Sequence, residues 1–184
     1  MNAQGNQYAD AAAFNARDRE RTDDNLDLTA LGRYSVDPSL DIELGARAHL
    51  TLYRLQRQGE RAFHIERIET RVGENATFVM RDSQLGAGLA RLDTNVSLDG
   101  RAAATEITGV FLADGSRHLD SHIHVGHRAI ETTSLQDYRG IAANKGRGVF
   151  NGKAIVHAGA QKSNARQVNR NLMLTAAAEI YTKP

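Results

Sequence analysis

The segment Leu92-Asp93-Thr94-Asn95-Val96-Ser97-Leu98 decides the fold class. Leu92, Thr94, Val96 and Leu98 fall on one parity, and Asp93, Asn95 and Ser97 fall on the other. Strict alternation is the mark of a strand with one face buried and one face in water. The pattern recurs on both sides of this segment. His49 to Leu55 places Leu50 and Leu52 on one face, and Phe63 and Ile65 repeat it. Ile68, Thr70 and Val72 then switch parity, and Ala76, Phe78 and Met80 follow. Further short β segments read at 105–112, 119–125, 141–142, 148–150 and 154–158. Glycines such as Gly59, Gly73, Gly86, Gly100, Gly115, Gly126, Gly140 and Gly152 punctuate them at intervals of roughly 10 to 14 residues. Many short strands at even spacing mean a sandwich, a barrel or a solenoid. Small residues throughout and few Asn-Gly or Asp-Gly turns favour the solenoid, although no fixed repeat length is evident. The segment from Ala165 to Ile180 leans to helix, because Val168, Leu172, Ala176 and Ile180 recur at every fourth position.

Composition bounds what such a protein can do. With 184 residues, one compact domain is expected. There is no Cys, which excludes a disulfide framework, a thiolate zinc site, a catalytic Cys and a cluster held by the chain's own thiolates. Lys and Arg number 23 against 22 Asp and Glu, so the chain lacks the electrostatic footprint of a nucleic-acid binder. No apolar run approaches the roughly 20 residues of a membrane-spanning helix. Residues 1–36 read as a polar tail or the remnant of an N-terminal region, with a short helix possible from Ala9 to Arg21. This stretch has no apolar core of a secretory signal, so a cytoplasmic location is expected. Residues 37–184 form the core domain. The chain stops at Tyr181-Thr182-Lys183-Pro184, directly after an apolar segment, which reads as a truncated chain or one whose natural continuation is missing.

The densest polar cluster is Arg117-His118-Leu119-Asp120-Ser121-His122-Ile123-His124-Val125-Gly126-His127. On an extended strand His118, Asp120, His122 and His124 share one face, while Leu119, Ile123 and Val125 share the other. Imidazoles two residues apart can share a metal, but a solvated outer face over an apolar inner one explains the alternation without a ligand. The sharpest enzyme reading is a non-haem iron oxygenase, with a triad of His118, Asp120 and His157 and Arg166 beyond it. Gly146 to Lys153 is glycine-rich, yet three residues rather than four separate Gly148 from Gly152-Lys153, and Ala154 replaces the Ser or Thr of a phosphate loop. It reads as a turn between strands. Ser134 and Ser163 lack the setting of an activated nucleophile.

A set of linked motifs carries a more specific message. Ser134-Leu-Gln-Asp-Tyr138-Arg-Gly140, Arg147-Gly-Val-Phe-Asn-Gly-Lys153-Ala-Ile-Val156, Ala160-Gln-Lys162, Asn169-Arg-Asn-Leu-Met-Leu174, Ala178-Glu179 and Thr182-Lys-Pro184 follow in order. Together they resemble the core of the SufB/SufD family of the SUF iron–sulfur cluster assembly complex, on its SufD side. Asp120 and His127 also stand where that family tends to carry an Asp and a His. The SufB side tends to carry a Cys near Asn169 to Leu172, where this chain has none.

The resemblance implies an all-β fold, a right-handed parallel β-helix incomplete at its C-terminal end, with Asn171 to Leu174 extended rather than helical. It implies a non-enzymatic scaffold that pairs with a SufB-like subunit through continuation of the β-helix. A SufC-like ATPase would dock on a C-terminal region that this chain does not include. The resemblance assigns no catalytic, cofactor-binding or metal-ligating residue within the chain. A cluster would be handled transiently by the parent complex and not bound by this chain alone.

Overall fold

The alternation at Leu92–Leu98 is repeated from coil to coil in a stack of parallel strands. The structure, a computed structural model, describes residues 12–19 and 34–183, with side chains from residue 34 onward. Its strands are β1 (Ala12–Arg19), β2 (Tyr34–Leu44), β3 (His49–Gln56), β4 (Ala62–Val72), β5 (Thr77–Gln84) and β6 (Leu89–Leu98). They continue with β7 (Ala104–Ala113), β8 (His118–His127), β9 (Thr133–Ala142), β10 (Arg147–Val156), β11 (Asn164–Met173) and β12 (Glu179–Lys183). β1 and the even-numbered strands form a seven-stranded sheet, sheet A, and the odd-numbered strands from β3 to β11 form a five-stranded sheet, sheet B. Every pairing is parallel except that of β1 with β2. The chain therefore alternates between two sheets, one strand in each per coil, and builds the expected β-helix. Ladder bonds between coils set a rise of about 4.8 Å per coil.

A repeat does exist, but it lies in the corners. A coil takes 26 residues where Val72 faces Leu98 and 32 where Gly148 faces Ile180, so no constant period appears in the sequence. At one corner of successive coils, Arg47, Asn75, Ala102, Glu131 and Lys162 all take positive φ, between 54° and 64°. Each amide bonds to a carbonyl of the next coil where one follows: Arg47 to Glu74, Asn75 to Arg101, Ala102 to Ile130 and Glu131 to Gln161. The left-handed conformation costs a residue with a Cβ about 1–2 kcal/mol. Ala102→Gly should therefore raise unfolding stability by up to about 1 kcal/mol in a urea titration. An unchanged or lower midpoint would show that the corner carries no such strain.

Alternation carries the core. Leu92, Thr94, Val96 and Leu98 are buried, as are Leu119, Ile123 and Val125 one coil on. The apparent change of parity in β4 has a different origin from a bulge. The strand runs unbroken from Ala62 to Val72, and Ala62, His64, Ile68, Thr70 and Val72 are buried on its inner side. Phe63 and Ile65 are on the outer side, where Ile65 is 44% exposed. His64 and Glu66 occupy inward positions instead, and these two residues give the sequence its misleading phase.

In later coils aromatic rings fill the interior over glycines. Tyr138 and Phe150 stack with ring centroids 4.7 Å apart. Tyr138 lies where a side chain at Gly109 would be, and Phe111 lies where side chains at Gly140 and Gly148 would be. This lets a chain with 5% aromatics fill its core with few rings.

The helical leaning of 165–180 is not realised. Residues 164–173 are β11 and pair with β9 from Asn164↔Thr133 to Met173↔Ala142. A spacing of four is also a multiple of two, so Val168 and Leu172 lie on one face of a strand just as they would on a helix. Within the possible helix at 9–21, residues 12–19 form β1, antiparallel to β2. The rest of that stretch lies outside the described residues, as does most of the 1–36 tail.

Candidate functional site

The histidine face of β8 forms as expected. Leu119, Ser121, Ile123, Val125 and His127 point inward, while His118, Asp120, His122 and His124 sit half-buried on the outside of sheet A. Asp120 Oδ1 lies 2.8 Å from His122 Nε2, and its carboxylate is 3.5 Å from Arg91 Nη1, whose guanidinium also holds Asp93 at 2.8 Å. A depression of about 200 Å³ is lined by Arg67, Asp93, Asn95, His122 and His124. Burial first, then the Lys153 and His122 charges, hold His124 below its ordinary pKa.

The oxygenase triad does not assemble. His118 and Asp120 share β8, and their partners in β10 are Arg147 and Val149. His157 follows β10 and lies beside Gly126, at the far end of β8. Eight extended residues separate His118 from Gly126, which is about 26 Å. A parallel stack brings together residues one coil apart in register, and no register relates these three. Among the described residues no group of three or more His, Asp or Glu side chains is placed to hold a metal ion.

The interior holds a charged cluster that alternation had concealed. Arg54, 8% exposed, points inward from β3. Its Nε donates to Glu66 Oε2 at 2.6 Å and its Nη1 to Asp82 Oδ1 at 2.6 Å. His64 Nε2 donates to the same Glu66 oxygen at 2.9 Å, while the Gln58 amide donates to His64 Nδ1 at 3.1 Å. Tyr138 spans two coils through the space left by Gly109, and its hydroxyl donates to Asp82 Oδ2 at 3.3 Å. Ser121 on the opposite sheet donates to Gln84 Oε1 at 3.1 Å. Burial raises the Asp82 pKa, and Arg54 only partly offsets it. Burial also works against Glu66, but hydrogen bonds from His64 and Arg54 outweigh it and its pKa falls. Burial and the neighbouring Asp82 push Tyr138 well above the usual phenol value. The cluster ties β3, β4, β5 and β9 together across the cavity of the solenoid.

A sequence signal for this cluster existed. Arg54 and Gln56 continue the inward parity of Leu50 and Leu52, and Asp82 and Gln84 continue that of Phe78 and Met80. A charge on the buried parity of a strand needs a partner.

A second interior group sits at the corner after β8. His127 is fully buried, with Nδ1 2.7 Å from Thr132 Oγ1 and Nε2 2.9 Å from Ser134 Oγ. Ser163 of the next coil joins through Thr132 at 2.7 Å. Ser134 is 2% exposed, so its pairing with an imidazole serves packing and not attack on a substrate. Burial holds His127 below the ordinary value of 6.5. The unfolded chain takes up a proton near that value and the folded chain does so at lower pH. The stability from His127 is therefore complete above 6.5 and is lost as pH falls from there toward the folded value. Denaturation midpoints should drop between about pH 7.5 and 5.5, and His127→Gln should flatten the drop. An identical pH slope in the variant would remove His127 from the account.

The chain is similar to known proteins along most of its length. Residues 26–184 match the family described as "SUF system FeS cluster assembly, SufBD core domain". An iron–sulfur cluster assembly SufBD family protein of Synechocystis, slr0076, is 32% identical over 144 residues, covering 78% of this chain and 32% of the relative. The iron–sulfur cluster assembly protein SufD of Escherichia coli is 27% identical over 152 residues, covering 83% of this chain and 36% of the relative. Protein ABCI7, chloroplastic, of Arabidopsis thaliana is 27% identical over 154 residues, covering 83% and 32%. The chain spans about a third of the length of these curated relatives.

Proposed function

The chain belongs to the SufBD core family of SUF iron–sulfur cluster assembly proteins, and we propose on that premise that it is a non-enzymatic scaffold and partner subunit. Its partners would be a SufB-like subunit and a SufC-like ATPase, in the cytoplasm. The observation that carries this reading is the family match across 26–184, which takes in every coil of the β-helix. The SufB-like partner would join by continuation of the β-helix, strand edge to strand edge. A SufC-like ATPase would make its contact outside the third of the relatives' length that this chain matches. An iron–sulfur cluster is the cargo of the assembly, and a chain without Cys leaves its thiolate ligands to other parts of the complex.

Co-purification tests the reading. Tagged parent protein, co-expressed with the SufB-like and SufC-like proteins of its organism, should retain both. The 184-residue chain should retain the SufB-like protein and lose the ATPase. A parent protein that retains neither would overturn the assignment.

A further inference from the structure

Sheet B has an unpartnered outer face with an organised pattern. Leu85, Leu112, Ile141 and Leu172 stand side by side in register across four successive coils: Leu112 pairs with Ile141, and Ile141 with Leu172. Leu85 directly follows Gln84, whose partner is Phe111, and so extends the row. Leu85 and Leu112 are each 37% exposed and Leu172 is 55% exposed. In-register strands lie about 4.8 Å apart, so the ridge runs about 14 Å along the solenoid axis. Two residues back on the same face, Val110, Arg139 and Arg170 form the next row. Arg57 stands at the other end, opposite Leu85. Among the described residues Arg57 and Arg170 have no carboxylate partner, and Arg139 has only Asp137 at 3.4 Å.

We propose that this ridge docks an amphipathic helix of a partner protein, lying along the solenoid axis, with an apolar seam and an acidic flank. Two observations choose that occupant. A helix repeats its seam every turn, about 5.4 Å, against about 4.8 Å between strands, so three steps accumulate a mismatch of only about 2 Å. In the row alongside, Arg170 has no carboxylate partner among the described residues and Arg139 has only the Asp137 contact, so charge complementarity puts acids on that flank of the helix and not on both. The proposal rests on this geometry and is independent of the scaffold reading above.

The test is fluorescence anisotropy with the full chain. The probe is a labelled helical peptide of about five turns, with Leu along one seam and Glu along the adjacent flank; a second peptide carries Lys in place of Glu. Saturable binding of the Glu peptide, weakened at least about tenfold by Leu112→Ser with Ile141→Ser, is expected. Arg139→Glu with Arg170→Glu should exchange the preference, losing the Glu peptide and gaining the Lys peptide by about tenfold. This swap remains informative if the apolar variant unfolds. Equal binding of both peptides, or none, overturns the proposal. Binding to phosphatidylglycerol vesicles in place of the Glu peptide, lost with the same arginines, assigns the surface to a membrane and overturns it equally.

Discussion

Arg54→Met should lower the unfolding free energy by about 3–5 kcal/mol, because it leaves two carboxyl groups without their cation inside the solenoid. Glu66 and Asp82 both bond to that guanidinium at 2.6 Å, and the Asp82 side chain is fully buried. In the variant Glu66 keeps only His64 and Asp82 keeps only Tyr138. Acidification should then recover part of the loss, since protonation removes the unpaired charges. The wild type should behave oppositely with respect to Glu66. Its folded pKa is lowered, so its stabilising contribution is present above the ordinary 4.5 and is lost as pH falls through the folded value. A urea titration at two pH values measures both effects. Removing all charges together, with Arg54→Met, Glu66→Gln and Asp82→Asn, should cost less than Arg54→Met alone, because buried ion clusters stabilise little relative to neutral replacements. A single variant within about 1 kcal/mol of wild type would mean that water reaches the cluster and screens it.

Gly140→Ala should cost about 3 kcal/mol, at the upper end of what overpacking does. The Phe111 ring occupies the space a methyl group would need, and it cannot retreat, because on the opposite sheet it also fills the space above Gly148. Phe111 is fully buried between the two. Phe111→Leu alone should destabilise by leaving a void. Combined with Gly140→Ala it should lose less than the sum of the two single changes, by about 1 kcal/mol or more. Additive losses in that double-mutant cycle would show that the glycine serves the backbone and not the ring.

These two sites illustrate how far the sequence could be read. Where an entire strand alternates cleanly, as at Leu89–Leu98 and His118–His127, facing was legible residue by residue. The histidine face fell where alternation placed it. At Ala62–Val72 the same rule failed, because apolar Phe63 and Ile65 stand outside while His64 and Glu66 stand inside. The rule prices each residue by its own hydrophobicity, whereas burial of Glu66 is offset by Arg54 from a different coil. The repeat was hidden for a related reason. Its common element is a left-handed corner, and Arg47, Asn75, Ala102, Glu131 and Lys162 share a φ without sharing chemistry. The His118, Asp120 and His157 triad fails on distance, a quantity that motif order does not contain.

From the sequence alone came the all-β class, the half-buried strands, the exclusion of thiolate chemistry and the family resemblance. Each depends on local periodicity, on composition or on ordered motifs, all of which are properties of the chain read in one dimension. Tertiary structure decided which residues one coil apart meet. It set Arg54 opposite Asp82, emptied Gly109 for the ring of Tyr138, and lined up Leu112, Ile141 and Leu172 on the outside of sheet B. Register is the physical reason. Coils of 26 to 32 residues bring their partners together through corners of different length, whereas a one-residue slip of a strand against its neighbour would turn its inward side chains to the other face.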